Sequence, residues 1–227
     1  MDETLIHAAT ILDIEINQLY GPDARPDFYT SFEDQDNVIQ IGVFKRPYLD
    51  ELLRRARPYF QICVHTASEK MYADSILDVL DPTHTIFYKR IYRSQCLKAF
   101  IPSPASHPLQ DLLPNQDLNL SNKLTQTSHS SNRTNSNESS AIEDSDAKVV
   151  YIKDLRVLEG VDLSRVVIVD NQLLSFALQP DNGIPISSYF LDPQDAELRY
   201  VADYLIENYE LASPNGGVRD VREVNKQ

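Results

Sequence analysis

The sequence has few basic residues for its size. Among 227 residues, 34 are Asp or Glu and 21 are Lys or Arg, which gives a formal net charge of −13 at pH 7. Proteins that hold the nucleic-acid backbone depend on a basic face and on the release of counterions. We therefore expect no direct binding of nucleic acid, and any anionic ligand has to be met by a local basic pocket.

Cysteines and long apolar runs are also scarce. The two cysteines, Cys63 and Cys96, lie in apolar or strand-like segments, which predicts buried thiols in a reducing compartment. The longest apolar runs are only a few residues, so no window resembles a signal peptide or a transmembrane helix. We expect a nuclear or cytoplasmic protein with no membrane span.

Aromatic residues and glycine are missing from residues 101–150. Such a segment cannot bury enough apolar surface to offset its chain entropy, so we predict a disordered Ser/Asn-rich insertion at residues 101–147. Folded patterns flank it on both sides. We therefore expect one domain built from residues 1–100 and 148–212, followed by a loosely attached polar tail at residues 213–227.

Before the insertion, the pattern of apolar residues changes from strand-like to helical. Alternation with period two predicts half-buried antiparallel strands in ATILDIEI and NVIQIGVF. RPYLDELLRRAR has the spacing of an amphipathic helix, and FQICVHTAS that of a buried strand. Ser68 is expected to cap a helix through EKMYADSILDVL that stops before Asp81 and Pro82.

After the insertion, the pattern indicates parallel strands. SRVVIVDN is a β-branched run typical of a central strand covered on both faces, and IPISSYF is a further short strand. A last helix is expected after Asp192 and Pro193. Alternating strands and helices predict an α/β fold whose parallel sheet has helices on both faces, and such sheets bind ligands beyond the carboxyl ends of their strands.

Polar side chains occur near these strand ends. They are Asp2, Thr4, Thr66, Lys153, Asp170 and Asn171. Carboxylate and amide oxygens suit Mg²⁺, whereas lysine and hydroxyl groups hold phosphate oxygens. Each residue taken alone is more often a turn or a cap, so the hypothesis depends on their order and spacing together.

Eight collinear segments carry a family resemblance. They are DETLIH, KRPYLDELL, HTASEKMYADSILDVLDP, IFYKRIYRSQC, YIKDL, VIVDN, LQPDNGIPISSYF and DAEL. The sequence resembles the RNA polymerase II C-terminal-domain phosphatases, the NLI-interacting-factor-like branch of the haloacid dehalogenase superfamily. The resemblance implies a Rossmannoid parallel sheet with a small β insertion and a Mg²⁺-dependent protein serine/threonine phosphatase.

The family's Asp-x-Asp-x-Thr motif follows its central first strand. Its first aspartate attacks the phosphoserine or phosphothreonine and forms an aspartyl-phosphate, and its second protonates the leaving hydroxyl. By resemblance, Asp2 matches the second aspartate and Thr4 the threonine, so the nucleophile would stand just before Met1. The resemblance therefore implies a sequence truncated within the motif, without its central strand, that neither folds normally nor turns over substrate by itself.

The resemblance also implies the remaining roles. Thr66 and Lys153 would bind the transferring phosphoryl group, and Lys153 would stabilise the aspartyl-phosphate. Asp170, Asn171 and the backbone carbonyl of Asp2 would hold Mg²⁺. Arg93, within the basic cluster YKRIYR, would bind the substrate phosphate. The partner would be a phosphoserine or phosphothreonine protein, and the family's best-known target is the RNA polymerase II tail.

Two departures from the family pattern leave alternatives open. Gln172 stands where Ser or Thr is usual, which could alter hydrogen bonding near the metal, and the insertion replaces a short connection. A catalytically dead module that binds a phosphopeptide or a partner is the main alternative. The mitochondrial import receptor branch, which uses this fold as a scaffold, is less favoured because the site residues are retained.

Overall fold

The computed structural model describes residues 1–16, 18–101, 148–209 and 220–226. The chain divides into two compact units, residues 1–99 with 151–227 and residues 100–150. Apart from Ile101, the predicted insertion lies outside the described residues. Within the described part of the chain, no helix has both the length and the apolar character needed to cross a lipid bilayer.

Three antiparallel strands form the N-terminal sheet. They are β1 (Ile6–Thr10), β2 (Phe28–Asp34) and β3 (Asn37–Lys45), in the order β1-β3-β2. The strand predicted in NVIQIGVF is confirmed as part of β3.

The strand predicted in ATILDIEI ends early. A π-helical turn at Leu12–Ile16 replaces its second half. The Thr10 hydroxyl donates to the Asp13 carboxylate at 2.7 Å and accepts from the Asp13 backbone N–H at 3.2 Å. These two hydrogen bonds pair the Asp13 N–H and carboxylate locally, without a neighbouring strand. The turn that they stabilise buries Ile14 against Phe44 and Tyr189.

Two helices alternate with a parallel strand pair in the next segment. The order is α1 (Leu49–Ala56), β4 (Ile62–His65), α2 (Lys70–Leu80) and β5 (Phe87–Ile91), and β4 pairs with β5 in parallel. Both predicted helices are confirmed, and α2 ends directly before Asp81 as expected. The predicted cap is wrong, because Glu69 is the N-cap residue of α2 and the Ser68 hydroxyl donates to Asp2 instead.

Two pairs of short strands follow among the described residues. β6 (Leu97–Ile101) pairs with β7 (Lys148–Ile152), and β8 (Ile168–Asp170) pairs in parallel with β9 (Gly183–Pro185). The strand expected throughout SRVVIVDN is confined to β8. An Asp162 carboxylate that accepts from the Ser164 N–H at 2.9 Å starts a 3₁₀ turn before it.

Two further helices follow, α3 (Glu197–Tyr209) and α4 (Val221–Val224). The helix expected after Asp192 and Pro193 is confirmed as α3, and its apolar residues Leu198, Val201, Ala202 and Leu205 are all buried. In the described part of the predicted tail, Val221 and Val224 of α4 are buried.

The main core lies where β1 and β3 meet α1, α2 and α3. Its fully buried members include Ile6, Val43, Ile76, Leu77 and Leu198. The α/β class is confirmed, although the parallel neighbours among the described residues form two separate pairs, β4 with β5 and β8 with β9. The free thiols Cys63 and Cys96 are half-buried, less enclosed than expected, and burial raises the pKa of each.

Candidate active site

The N-terminal turn meets the carboxyl end of β8. The Thr4 hydroxyl donates to the Asn171 side-chain oxygen at 2.9 Å, although the two residues are 167 positions apart. The Asn171 amide in turn donates to the Ser188 hydroxyl at 3.0 Å. Thr4 is buried, and the Met1 carbonyl, which accepts from the Leu5 N–H at 2.8 Å, shapes the turn that directs Thr4 inward.

A buried ion pair joins Lys153 to Asp170. The two residues are 4% and 2% exposed, and the lysine ammonium donates to one carboxylate oxygen. The other oxygen accepts from the Gln172 backbone N–H at 2.8 Å. Burial alone would raise the pKa of Asp170, but the charge and hydrogen bond of Lys153 and the Gln172 N–H together hold that pKa below its usual range.

The Gln172 departure has little consequence for these contacts. The Gln172 side chain is exposed, and the hydrogen bond to Asp170 comes from its backbone N–H, which serine or threonine would supply equally well.

The Asp2 carboxylate is held by residues at the start of α2. The Ser68 hydroxyl donates to one carboxylate oxygen at 2.7 Å, and the Tyr72 hydroxyl donates to the other at 2.6 Å. Burial first, then the charge and hydrogen bond of Asp2, raise the pKa of Tyr72 well above its usual value, so the phenol remains a donor. Sequence analysis missed Tyr72 as a site residue, because its contact with Asp2 joins two residues that are 70 positions apart in the sequence.

Thr66 directly follows β4 and lies next to this group. It is 1% exposed, its N–H donates to the Ile91 carbonyl at 2.9 Å, and its hydroxyl accepts from the Ser68 N–H at 3.1 Å. Ser68 therefore bridges Thr66 and Asp2, two predicted site residues that lie far apart in the sequence.

Arg93 lies at the edge of the site. Its guanidinium donates to the Ala67 carbonyl at 2.5 Å and to Glu69 at 3.0 Å, and it stacks over the Tyr151 ring at 5.1 Å from the centroid. The side chain is 37% exposed, which leaves part of its donor surface open to a ligand.

The rest of the basic cluster serves the scaffold. Lys89 donates to the Val157 carbonyl at 3.1 Å, and Arg90 pairs with Asp74 and Asp78. Of the cluster's cations, Arg93 is the one beside the Thr66–Ser68 loop, so the cluster as a whole does not form the local positive pocket that the sequence suggested.

The predicted metal donors have suitable chemistry. One carboxylate from Asp170, one amide oxygen from Asn171 and the backbone carbonyl of Asp2 are hard oxygen ligands of the kind that Mg²⁺ takes. Within the described ranges, no group of three or more His, Cys, Asp or Glu could hold a metal ion. The predicted donor set contains a single carboxylate, an amide oxygen and a backbone carbonyl, so it does not require three acidic or metal-binding side chains. Because all three donors are oxygens, the residues fit Mg²⁺.

Most of the chain matches a known family model. The family model for the NLI interacting factor-like phosphatase matches residues 1–120 and 119–222. The chain belongs to this phosphatase family. The match includes every predicted site residue, from Asp2 to Asn171.

Relatives in the NLI interacting factor-like phosphatase family include two CTD small phosphatase-like proteins. CTD small phosphatase-like protein 2 of Dictyostelium discoideum is 31% identical over 97% of this chain. CTD small phosphatase-like protein 3 of Caenorhabditis elegans is 32% identical over 99% of this chain. The chain spans 28% and 55% of the lengths of these two proteins.

A solved structure of Fcp1, an RNA polymerase II CTD phosphatase, matches 99% of this chain and 67% of that one, with a TM-score of 0.57 and 15% identity. The likeness supports a haloacid-dehalogenase-like α/β fold.

Proposed function

We propose that this protein is a Mg²⁺-dependent protein serine/threonine phosphatase that acts through an aspartyl-phosphate. The observation that supports it most directly is the hydrogen bond from Thr4 to Asn171, which joins the two halves of the family's site at 2.9 Å. In this proposal the attacking aspartate stands two positions before Asp2, directly before Met1. The 227-residue chain by itself is therefore expected to show no turnover of this kind.

Asp2 is proposed as general acid and then general base. Its carboxyl proton passes to the substrate oxygen as the phosphorus–oxygen bond breaks and the aspartyl-phosphate forms. Its carboxylate then accepts a proton from the water molecule that attacks phosphorus and releases the aspartate. The hydrogen bonds from Ser68 and Tyr72 orient the carboxylate for both steps.

The remaining site residues are proposed to bind the negatively charged phosphoryl group and the metal ion. Lys153 and Thr66 hold the oxygens of the transferring phosphoryl group, Lys153 stabilises the aspartyl-phosphate, and Arg93 binds the substrate phosphate from the edge of the site. Asp170 and Asn171, with the Asp2 carbonyl, would hold Mg²⁺. When bound, Mg²⁺ supplies positive charge that offsets the negative charge of the phosphoryl group.

The proposed substrate is a phosphoserine or phosphothreonine protein. Relatives are named CTD small phosphatases, and one from Xenopus tropicalis, 29% identical, is named CTD nuclear envelope phosphatase 1. The RNA polymerase II tail is therefore the first candidate substrate, and a nuclear or cytoplasmic location is proposed with it.

An extended chain tests the proposal. It carries an apolar strand ending in aspartate directly before Met1, and a matched control ends in asparagine instead. With Mg²⁺ and a phosphoserine peptide of the polymerase-tail repeat, the extended chain should release phosphate and the asparagine control should not. Asp2→Asn in the extended chain should lower turnover by about 10² to 10⁴, the usual range of general acid–base catalysis.

Two other outcomes would contradict parts of the proposal. Turnover that survives Asp2→Asn would contradict the role of Asp2. Binding of the phosphopeptide without phosphate release by the extended chain would contradict the phosphatase proposal and indicate a phosphopeptide-binding module.

A further inference from the structure

A groove of about 530 Å³ lies between the C-terminal half of α1 and the C-terminal end of α2. We call it the α1–α2 groove. It is lined by Asp50, Leu53, Arg54, Arg57, Pro58, Leu80 and Ile86. None of these residues belongs to the candidate active site.

The groove and the active site lie at opposite ends of the parallel pair β4 and β5. Pro58 and Ile86 precede these two strands, whereas Thr66 and Arg93 follow them. β4 has four residues, so it separates the two ends by roughly 13 Å at the usual rise per residue. A ligand in the groove would therefore leave the active site accessible.

The floor of the groove is apolar. Leu53 is buried at its base, and Leu80 and Ile86 are half-buried beside it. The volume lies within the roughly 300 to 1,000 Å³ that is typical of ligand pockets. The floor can thus accept an aliphatic side chain.

The rim of the groove is positive. Arg54 and Arg57 are exposed and three positions apart, so they lie on one side of α1. Within the described part of the chain neither forms an ion pair, whereas Arg55 between them pairs with Glu51 and Asp203.

The acidic residue at the groove is already neutralised. Asp50 pairs with Lys45 at 2.5 Å. Because the whole chain carries a formal charge of −13, an acidic ligand would be repelled over most of its surface. The two free guanidinium groups make the α1–α2 groove a local exception.

We propose that the α1–α2 groove docks an acidic segment of a partner protein that also carries an aliphatic anchor. The carboxylates of that segment pair with Arg54 and Arg57, whose planar guanidinium groups suit bidentate contacts with carboxylates. The anchor packs on Leu53, Leu80 and Ile86. The proposal does not depend on the proposed phosphatase activity, because it concerns binding alone.

The experiment measures binding of a short fluorescein-labelled peptide that alternates glutamate with leucine, by fluorescence anisotropy on the extended chain, because the 227-residue chain is not expected to fold normally by itself. The double variant Arg54→Glu/Arg57→Glu should weaken binding by about tenfold or more, since it replaces attraction with repulsion. The control Arg165→Glu/Arg199→Glu makes the same charge change at two exposed arginines outside the groove and should leave binding unchanged. A peptide with glutamine in place of glutamate should bind weakly to all three chains.

Four results would overturn the proposal. They are no binding by the extended chain without substitutions, an equal loss in both double variants, binding that appears only after deletion of residues 103–146, and self-association that the groove variant abolishes. The third would show that the chain's own segment occupies the groove, and the fourth that a second copy does. Circular dichroism melting curves of the variants separate lost binding from lost folding.

Discussion

Ser68 and Tyr72 fix the orientation of the Asp2 carboxylate. Ser68 precedes the N-cap residue of α2, and Tyr72 lies in the first turn of that helix. A free carboxylate would rotate about its last bond, and two donors on its two oxygens restrict that rotation. Tyr72 also packs edge-on against Phe32, with ring centroids 5.4 Å apart, so its own position is set by the sheet. The positioning of the proposed acid thus depends on residues outside the family's Asp-x-Asp-x-Thr motif.

Tyr72→Phe in the extended chain should affect substrates unequally. Turnover of a phosphoserine peptide, whose leaving oxygen needs a proton, should fall by about tenfold or more, and turnover of p-nitrophenyl phosphate should fall much less. Steady-state phosphate release measures both. The control Tyr88→Phe removes a hydroxyl from an exposed tyrosine, and equal losses on the two substrates in Tyr72→Phe would point to a purely structural role.

Arg46 is a second residue whose importance only its contacts reveal. It is 1% exposed, donates to both oxygens of Asp195 at 2.9 Å and 2.7 Å, and donates to the Thr4 carbonyl at 3.1 Å. It therefore links the N-terminal turn of the site to the loop before α3.

Arg46→Ala should destabilise the fold by about 3 to 5 kcal/mol, because it leaves the mostly buried Asp195 without its partner. Urea unfolding at pH 7 measures this change. Arg165→Ala, at an exposed position, should change the free energy of unfolding by less than about 0.5 kcal/mol. A similar small change in Arg46→Ala would show that the pair contributes no net stability.

At the scale of elements, Asp81 connects α2 to β5. Its carboxylate accepts from the N–H groups of Thr85, Ile86 and Phe87 at 2.9, 3.0 and 3.0 Å. Burial would raise the pKa of Asp81, but these three donors and the charge of Arg90 hold that pKa below its usual range. The carboxylate thus replaces the backbone partners that the turn leaves unpaired.

Asp81→Asn should lower the free energy of unfolding by about 1 to 3 kcal/mol at pH 7, because an amide offers one acceptor oxygen where the carboxylate offers two. Since the folded pKa lies below the unfolded value of about 3.9, the advantage of aspartate is complete above that value and declines as pH falls through the folded pKa. Urea unfolding at pH 7, 5 and 3 should show the difference shrinking at pH 3. A difference constant over this range would contradict a charge-dependent contribution, and Asp34→Asn, at an exposed residue, serves as the control.

The elements show where sequence patterns sufficed. Helical spacing correctly predicted α1, α2 and α3. Apolar residues three and four positions apart share one face only when the segment is helical, so burying that face requires a helix. Strand lengths were overestimated near Thr10 and Asp162, where side chains hydrogen-bond to nearby backbone and start turns. Ser68 had the chemistry of a helix cap, but the distant carboxylate of Asp2 took its hydrogen bond.

At the scale of the whole molecule, all the predicted site residues lie in one compact unit, residues 1–99 with 151–227. Deleting residues 103–146 from the extended chain, with a short Gly-Ser linker in their place, removes none of them. Turnover of p-nitrophenyl phosphate should stay within about threefold, because the entropic cost of closing a chain segment changes only slowly with its length. A loss of tenfold or more would show that this segment contributes to the site.

The sequence by itself determined the α/β class, the amphipathic helices and the residue types of the candidate site, because these follow from local periodicity and from motif order along the chain. The tertiary structure decided which groups meet. Two sets of contacts join residues distant in sequence: those of Tyr72 and Ser68 with Asp2, and the pair of Arg46 with Asp195. Arg90 instead pairs with Asp74, away from the site. No local pattern specifies such contacts, since they depend on how the packed elements bring their ends together.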